Sequence, residues 1–362
     1  MVEIYNDVST IEELISKHNK IFLYGAGASC KLLLESFWNE VLKGHVTCII
    51  DANEKLNNTS IRIGDDEINI KNWDNYCNEN NCLESNPVFL LTPVFSAPIV
   101  NSLDDNDKFD GAIVYLWPMI CLNQHPDDFS LKSESAPLIP QKIHYFWIGG
   151  KSIPDEYKRN IDGWRKLNPD YEICLWNEEN YDFGAIPYTR EAYQSGSKYL
   201  MYVTDYARMD VLYRHGGIYL DTDVELLKPL DDLLYNRAFI GIEENAQLNS
   251  GSALGAIPRH PMIRNLMKCY EDEHFLDESG NPKRNYNTYF ETKCFIGNGY
   301  KLVNHYQKIC DVVCFPRELF MPICFAGMED CYTNRTVSVH NINSERHAIN
   351  KAAYEKWKDR IR

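Results

Sequence analysis

Asp221 and Asp223 stand one residue apart in "RHGGIYLDTDVELL" (residues 214–227), directly after the apolar run Ile218–Leu220. On a strand, alternate side chains share a face, so the two carboxylates are expected to point the same way. Like charges on one face repel unless a cation or a proton sits between them. The pair is therefore either a strand running out into a solvated turn or a site for a divalent cation. Just upstream, Asp205 and Arg208 lie three apart in "VTDYARMDVLYRHGG" (203–217). That stretch reads as a helix with Thr204 as N-cap and Gly216 or Gly217 as its stop. Acid and base three apart share a helix face and usually form only a surface ion pair.

Three chemistries compete for an Asp-x-Asp after a buried strand. A calcium-binding EF-hand loop needs Gly at its sixth position and Glu at its twelfth, but these places hold Leu226 and Asp232. An aspartyl phosphatase usually carries Thr or Val two residues after the second Asp, where this chain has Glu225. The third chemistry is a divalent ion held against the diphosphate of a nucleotide sugar, and the neighbouring sequence has to decide.

The elements that must position these residues fall into two blocks. Residues 20–50 read strand, glycine turn, helix, strand, and further strands are expected in 87–93 and 111–117. This gives a small Rossmann-like αβ domain over 1–122. Residues 123–140 are rich in Pro, Ser and acid and read as a linker. A second strand-turn-helix series opens at "KIHYFWIGG" (142–150), giving a second domain over 141–362. The whole is an α/β protein of 362 residues with 44% hydrophobic content, enough for packed cores. A net charge of -15 argues against a nucleic-acid partner, which would leave a basic footprint. The 12 cysteines show no zinc spacing, and no stretch reads as a signal peptide or a membrane span. These features predict a cytoplasmic protein with reduced thiols.

The first block carries "YGAGASC", a Gly-x-Gly turn between strand and helix, with Asp51 ending the next strand. Gly25, Gly27 and Asp51 sit where a dinucleotide fingerprint would place them, but Cys30 replaces the third glycine. The plainer expectation is a tight βα turn in a docking or oligomerising module. The alternative is a nucleotide-sensing or NAD(P)-linked oxidoreductase domain.

Four segments then combine: "IPQKIHYFWIGG", "WRKLNPDYEICLWNEEN", "YVTDYARMDVLYRHGGIYLDTDVELLKPLDDLL" and "FIGIEENAQLNSGSALGA". In this order and spacing, over about residues 138–260, they resemble glycosyltransferase family 32, the sugar-binding-region glycosyltransferases with an Asp-x-Asp motif. A more distant likeness runs to the catalytic domains of clostridial glucosylating toxins. The resemblance implies a GT-A fold, a retaining hexosyltransferase, a nucleotide-sugar donor (UDP-linked in most bacterial relatives), Mn²⁺ or Mg²⁺, and surface-polysaccharide synthesis such as capsule. It also implies a glycan, lipid-linked or protein acceptor.

The resemblance and the chemistry of a leaving diphosphate together suggest roles. Asp223 would ligate the metal, and Asp221 would meet the donor ribose and reach the metal through water. Trp147 would stack on the nucleobase, and Asp205 would take ribose or sugar hydroxyls. Arg208 would reach the donor and balance the acids. Tyr219 would pack beside the nucleotide, while Asn249 and Ser250 would contact the donor sugar. In "VSVHNINSER" (337–346), His340 is the expected third metal ligand, although Glu345 stands where the family usually has Trp; Asn343 or Ser344 is the alternative. Finally, 347–362 reads as a helix with Ile349, Ala353, Trp357 and Ile361 spaced by four and a basic tail. It is expected to dock on the second domain, or else to rest on an anionic membrane surface.

Overall fold

The computed structural model describes residues 1–80, 86–124, 128–283, 286–341 and 345–362. The first seven strands are β1 (Glu3–Ile4), β2 (Ile21–Tyr24), β3 (Val46–Ile50), β4 (Thr59–Ile63), β5 (Asp66–Lys71), β6 (Val88–Leu91) and β7 (Ile113–Leu116). They form one sheet in the order β1-β7-β6-β2-β3-β5-β4, parallel except for β4. Its central strands are buried on both faces and read as unbroken apolar runs, as parallel strands should. Helices α1 (Ile11–Lys17), α2 (Ala28–Phe37), α3 (Trp73–Asn80), α4 (Ala97–Asp104) and α5 (Trp117–Leu122) accompany it. The four expected strands are present; β1 and the hairpin β4–β5 were not anticipated.

A second seven-stranded sheet uses β8 (Lys142–Phe146), β9 (Glu172–Trp176), β10 (Gly217–Tyr219), β12 (Ala238–Ile242), β13 (Leu248–Ala256), β14 (Gln307–Ile309) and β15 (Val312–Phe315). Its order is β14-β15-β12-β13-β10-β8-β9. β8, β9 and β10 are mutually parallel, whereas β13 runs antiparallel to both β10 and β12. A separate two-stranded ribbon pairs β11 (Val224–Leu226) with β16 (Ser338–His340). The helices here are α6 (Asp155–Leu167), α7 (Pro187–Gln194), α8 (Leu200–His215), α9 (Pro261–Glu271) and α10 (Asn287–Ile296). This mixed sheet, with its aspartate pair just past the end of a parallel strand, is the GT-A arrangement expected from the sequence.

α8 begins earlier than expected. Its N-cap is Tyr199, and Thr204 lies inside the helix with its hydroxyl donating to the Met201 carbonyl at 2.8 Å. Nine of its side chains are buried, spread around the helix, so it runs through the core rather than over it. Gly216, at φ +64°, ends it.

The segment expected as a linker is packed down. The Ser133 and Glu134 amides donate to the Tyr235 carbonyl, those of Leu138 and Ile139 to that of Leu234, and Ile139 is buried. His125, Pro126 and Asp127 of that stretch lie outside the described residues. The two sheets also share a core: Leu33 and Trp117 from the first block join one apolar cluster with Tyr206, Ile240 and Phe295 from the second. Polar contacts cross the same seam. Trp117 Nε1 donates to the Asn245 carbonyl at 3.1 Å, Gln247 Nε2 to Ser29 Oγ at 3.2 Å, and the Leu302 amide to Ser36 Oγ at 3.1 Å.

The C-terminal segment docks on the first block as well as on the second, where it was expected. Helix α11 (Glu345–Tyr354) ends before Trp357 and packs on α4 of the first block, while Asn350 Nδ2 donates to the Phe325 carbonyl of the second at 2.7 Å. Ala353 and Trp357 are buried in the first block's core, while Ile349 is exposed. The basic tail is paired within the chain. Arg360 donates to both carboxylate oxygens of Asp104 and to the Val2 carbonyl, Arg362 pairs with Glu3, and Lys358 with Glu355. No described helix is long and apolar enough to cross a membrane. Trp357→Ala should leave a cavity costing about 3–5 kcal/mol. Thermal unfolding followed by circular dichroism should show a markedly lower Tm, because Trp357 closes the first block's core.

Candidate active site

The residues around Asp221 assemble from five elements. β10 ends at Tyr219, and Leu220 and Asp221 lead into a turn in which the Val224 amide donates to the Asp221 carbonyl at 3.0 Å. The two aspartates therefore sit on a turn between β10 and β11, not on a strand face. They converge by turn geometry rather than by strand alternation. His340 arrives on β16, whose register places it opposite Val224. Ligand atoms of Asp221, Asp223 and His340 all lie within 4.8 Å of one another.

His340 is buried, and its Nε2 lies 3.1 Å from Asp223 Oδ1. Burial opposes charge on its ring, but the Asp223 carboxylate prevails and holds the pKa above that of an ordinary histidine. Burial likewise pushes Asp223 upward, and His340 more than offsets it, so the carboxyl ends below its usual range. His340 Nδ1 is buried with no hydrogen-bond partner. Two carboxylates and an imidazole make an oxygen-rich donor set suited to Mn²⁺ or Mg²⁺, and the proton shared by Asp223 and His340 marks where positive charge is wanted. The residues thus fit a divalent cation, with Asp221, Asp223 and His340 as holders. Asn343 and Ser344, the alternative ligands, lie outside the described residues.

Behind the aspartates, Arg208 is almost fully buried. Its Nη2 donates to Asp205 Oδ1 at 3.1 Å and lies 3.7 Å from Asp221 Oδ1, and its Nη1 donates to Ser250 Oγ at 3.2 Å. Asp205 and Arg208 are therefore a core pair and not the surface pair their spacing usually signals. Burial works against the charge on Arg208, but Asp221, Tyr219 and Asp205 outweigh it and raise its pKa, so it stays cationic. Burial also drives the Asp205 carboxyl well upward, against the pull of Arg208. Tyr219 belongs both to the core and to the site. Its hydroxyl donates to Asp221 Oδ1 at 2.6 Å, and the Arg208 guanidinium lies 4.9 Å from its ring centre.

Trp147 follows β8 and is half-buried, with its Nε1 donating to the Lys151 carbonyl and its ring edge-on to Tyr157. It is a presented aromatic rather than a core one. Asn249 donates to Glu243 Oε2 at 3.1 Å and accepts from the Gly251 amide at 2.8 Å. Ser250 lies behind Arg208, fully buried, its hydroxyl donating to Glu291. Gly25, Gly27 and Asp51 stand apart on the first sheet. There Gly25 adopts φ +94°, and Asp51 accepts from the Ala26 and Asn53 amides at 2.7 and 2.8 Å. Within the glycine turn the Asp51 carboxylate thus holds the Ala26 amide, and its bond to Asn53 closes the turn after β3.

Three neighbours were not anticipated. Tyr157 on α6 has its hydroxyl pKa raised by burial and by the Asp223 charge. Glu243, at the end of β12, is pushed up to about 8 by burial and by the adjacent Glu244. Glu291 on α10 is fully buried. The adjacent acids Glu243 and Glu244, ending the apolar run "AFIGI", were the available sequence signal for the second; Glu291 carries none.

With this geometry in hand, likenesses to known proteins can be weighed. Residues 154–240 match the family described as a glycosyltransferase sugar-binding region containing a DXD motif. The chain thus carries a glycosyltransferase family 32-like region, with Asp221-Thr222-Asp223 as its motif. Inositol phosphoceramide mannosyltransferase 1 of Schizosaccharomyces pombe is 29% identical over 169 residues, 41% of this chain and 49% of that protein. Mannosyl phosphorylinositol ceramide synthase SUR1 of Saccharomyces cerevisiae is 29% identical over 160 residues, 41% of each. The chain spans about half the length, or less, of these relatives. A solved structure titled PaToxG Glycosyltransferase overlaps 36% of this chain and 59% of its own, at TM-score 0.30 and 19% identity.

Two outcomes follow from the geometry. In the metal-free protein, His340 binds its proton more tightly than a free histidine. The ion pair's stabilisation is therefore complete below about pH 6.5 and lost as pH rises through the raised pKa. A cation must displace that proton, so Mn²⁺ affinity should run the other way, falling about tenfold per pH unit below the His340 pKa. Calorimetric titration of Mn²⁺ from pH 5 to 8 checks this, and His340→Ala should flatten the profile. Separately, a Cβ on Gly251 would lie 2.4 Å from Asp221 Oδ2 and 3.0 Å from Arg208 Nη1. Gly251 is buried and Arg208 is held on several sides, so Gly251→Ala should lower Tm and lose at least tenfold in Mn²⁺ affinity.

Proposed function

We propose that the protein is a retaining, divalent-metal-dependent hexosyltransferase that moves a sugar from a nucleotide sugar to a glycan, lipid-linked or protein acceptor. The observation that carries this is the convergence of Asp221, Asp223 and His340 beside a buried, permanently charged Arg208, within a family 32-like region. A divalent cation held there would supply Lewis-acid charge against the departing diphosphate. The chain's own residues do the rest. Arg208 adds fixed positive charge where negative charge develops, at no reorganisation cost because its carboxylate partners already hold it. Asp221 is oriented by the Tyr219 hydroxyl. Trp147 offers a half-exposed ring for a nucleobase, with Tyr157 bracing its edge.

The relatives named above are mannosyltransferases of inositol phosphoceramide, which supports a hexose donor and makes GDP-mannose a necessary companion to the UDP-sugars. A cleft of about 680 Å³, lined by Glu178, Asp182, Phe183, Arg190 and Tyr193, adjoins the Trp147 loop through the bond from the Gly149 amide to Glu178. Its aromatic and hydrogen-bonding walls suit a polyhydroxylated acceptor. Synthesis of a cell-surface glycan, with the enzyme in the cytoplasm, is the setting we propose.

The test is donor hydrolysis by the purified protein across a panel of UDP- and GDP-sugars with Mn²⁺, reading nucleoside diphosphate release. One donor should be hydrolysed slowly, and chelation should abolish the reaction. Asp223→Asn should fold normally and lose this activity by at least a hundredfold, since one ligand charge is removed from the site. No release from any donor would remove the proposal. Trp147→Ala should weaken donor binding by about tenfold to a hundredfold, the worth of one stacked base. An unchanged donor Kd in that variant would return Trp147 to a purely structural role.

A further inference from the structure

We infer that Glu291, outside the family-matched segment, is a positioning residue of the donor site: through Ser250 it fixes both the Arg208 guanidinium and the backbone that flanks Asp221. The inference rests on the function proposed above.

The main sheet breaks its ladder between β12 and β13. The pairing of β12 with β13 steps from Ile240 opposite Leu254 to Gly241 opposite Asn249. Residues 250–253 are surplus on β13 and bulge away from the β12 ladder. A bulge inside a core leaves amides that need other partners. α10 supplies acceptors from two consecutive side chains, one for the bulge amide of Ser250 and one for Leu248 just before the bulge. The Leu248 amide donates to Thr292 Oγ1 at 2.8 Å, and the Ser250 amide donates to Glu291 Oε2 at 2.8 Å.

Thr292 does only this, but Glu291 does more. Its Oε1 accepts from the Ser250 hydroxyl at 2.5 Å and from Asn287 Nδ2 at 3.1 Å. The Ser250 hydroxyl, having given its one proton to Glu291, turns its oxygen lone pairs to Arg208 Nη1 at 3.2 Å. The direction of that chain is forced, because a carboxylate can only accept and a guanidinium can only donate. The next residue, Gly251, accepts from the Asp221 amide at 3.1 Å. Glu291 thereby secures both the side-chain support of Arg208 and the backbone support of Asp221. A neutral serine hydroxyl alone would not define this geometry, because it rotates freely.

Glu291→Gln tests this. It keeps the volume but leaves one acceptor oxygen for two donors, so either the Ser250 hydroxyl or the Ser250 amide faces an NH₂ group. Thr292→Val removes the neighbouring bond without touching the relay, and Ser250→Ala removes the relay while leaving the Glu291 carboxylate to the backbone. Each variant is compared with wild type for Tm, Mn²⁺ affinity, and kcat and KM of donor hydrolysis. Glu291→Gln and Ser250→Ala are expected to lose at least tenfold in kcat with donor KM changed less than threefold, and Glu291→Gln also to weaken Mn²⁺ affinity, because Asp221 leans on the same backbone. Thr292→Val is expected to lower Tm with kcat retained. A folded Glu291→Gln with wild-type kcat overturns the inference. If Glu291→Gln does not fold, wild-type kcat in Ser250→Ala overturns it instead. Absence of donor hydrolysis in wild type is a different failure, which removes the proposed function itself.

Discussion

Arg208 is the interaction on which the rest of the site depends. A guanidinium taken out of water is costly unless charge and hydrogen bonds surround it. Here Asp205, Asp221, Thr204 and Ser250 surround it. The reverse also holds: burial raises the Asp205 and Glu291 carboxyls, and the one cation among them favours their ionised forms. The group is thus mutually supporting, and it accords with the burial of α8 around much of its circumference. The helix crosses the core, with Asp205 and Arg208 buried and Asp221 at the partly exposed end of the charge arrangement.

Much of this was legible in the chain because it is local. The apolar runs of β2, β3, β6, β7 and β8 announced themselves, and glycine turns set their ends. The Asp-x-Asp stands out by residue type and spacing, Arg208, Trp147 and His340 take their roles from the family resemblance, and the fold brings ligand atoms of the aspartates and His340 within 4.8 Å of one another. What was not legible is long-range. Glu291 lies 41 residues from the serine it holds and carries no local mark. The burial of Asp205 and Arg208 contradicted the usual meaning of their spacing, because tertiary packing and not periodicity decided it. The aspartates share a direction for a reason the strand period did not supply: a turn gathers them.

The two blocks read as separate domains in sequence, since each has its own strand series with polar chain between. Packing joins them. α2 and Trp117 lie against α10 and the β12–β13 connection, the same elements that carry Glu291 and Glu243. The C-terminal segment returns to the first sheet, with Trp357 in its core and Arg360 on Asp104. The first block is therefore part of the platform beneath the site.

The cation-holding residues come from two separately hydrogen-bonded sheets. Asp221 extends from β10 of the main sheet, while His340 belongs to the ribbon that β11 and β16 form by themselves, with Asp223 at its entrance. An ion bound to all three would act as a clasp across that seam, adding by mass action to the ribbon's hold on the main sheet. Local opening of residues 224–226 and 338–340, already resisted by the burial of Val224 and Leu226, would then be opposed by ion occupancy as well.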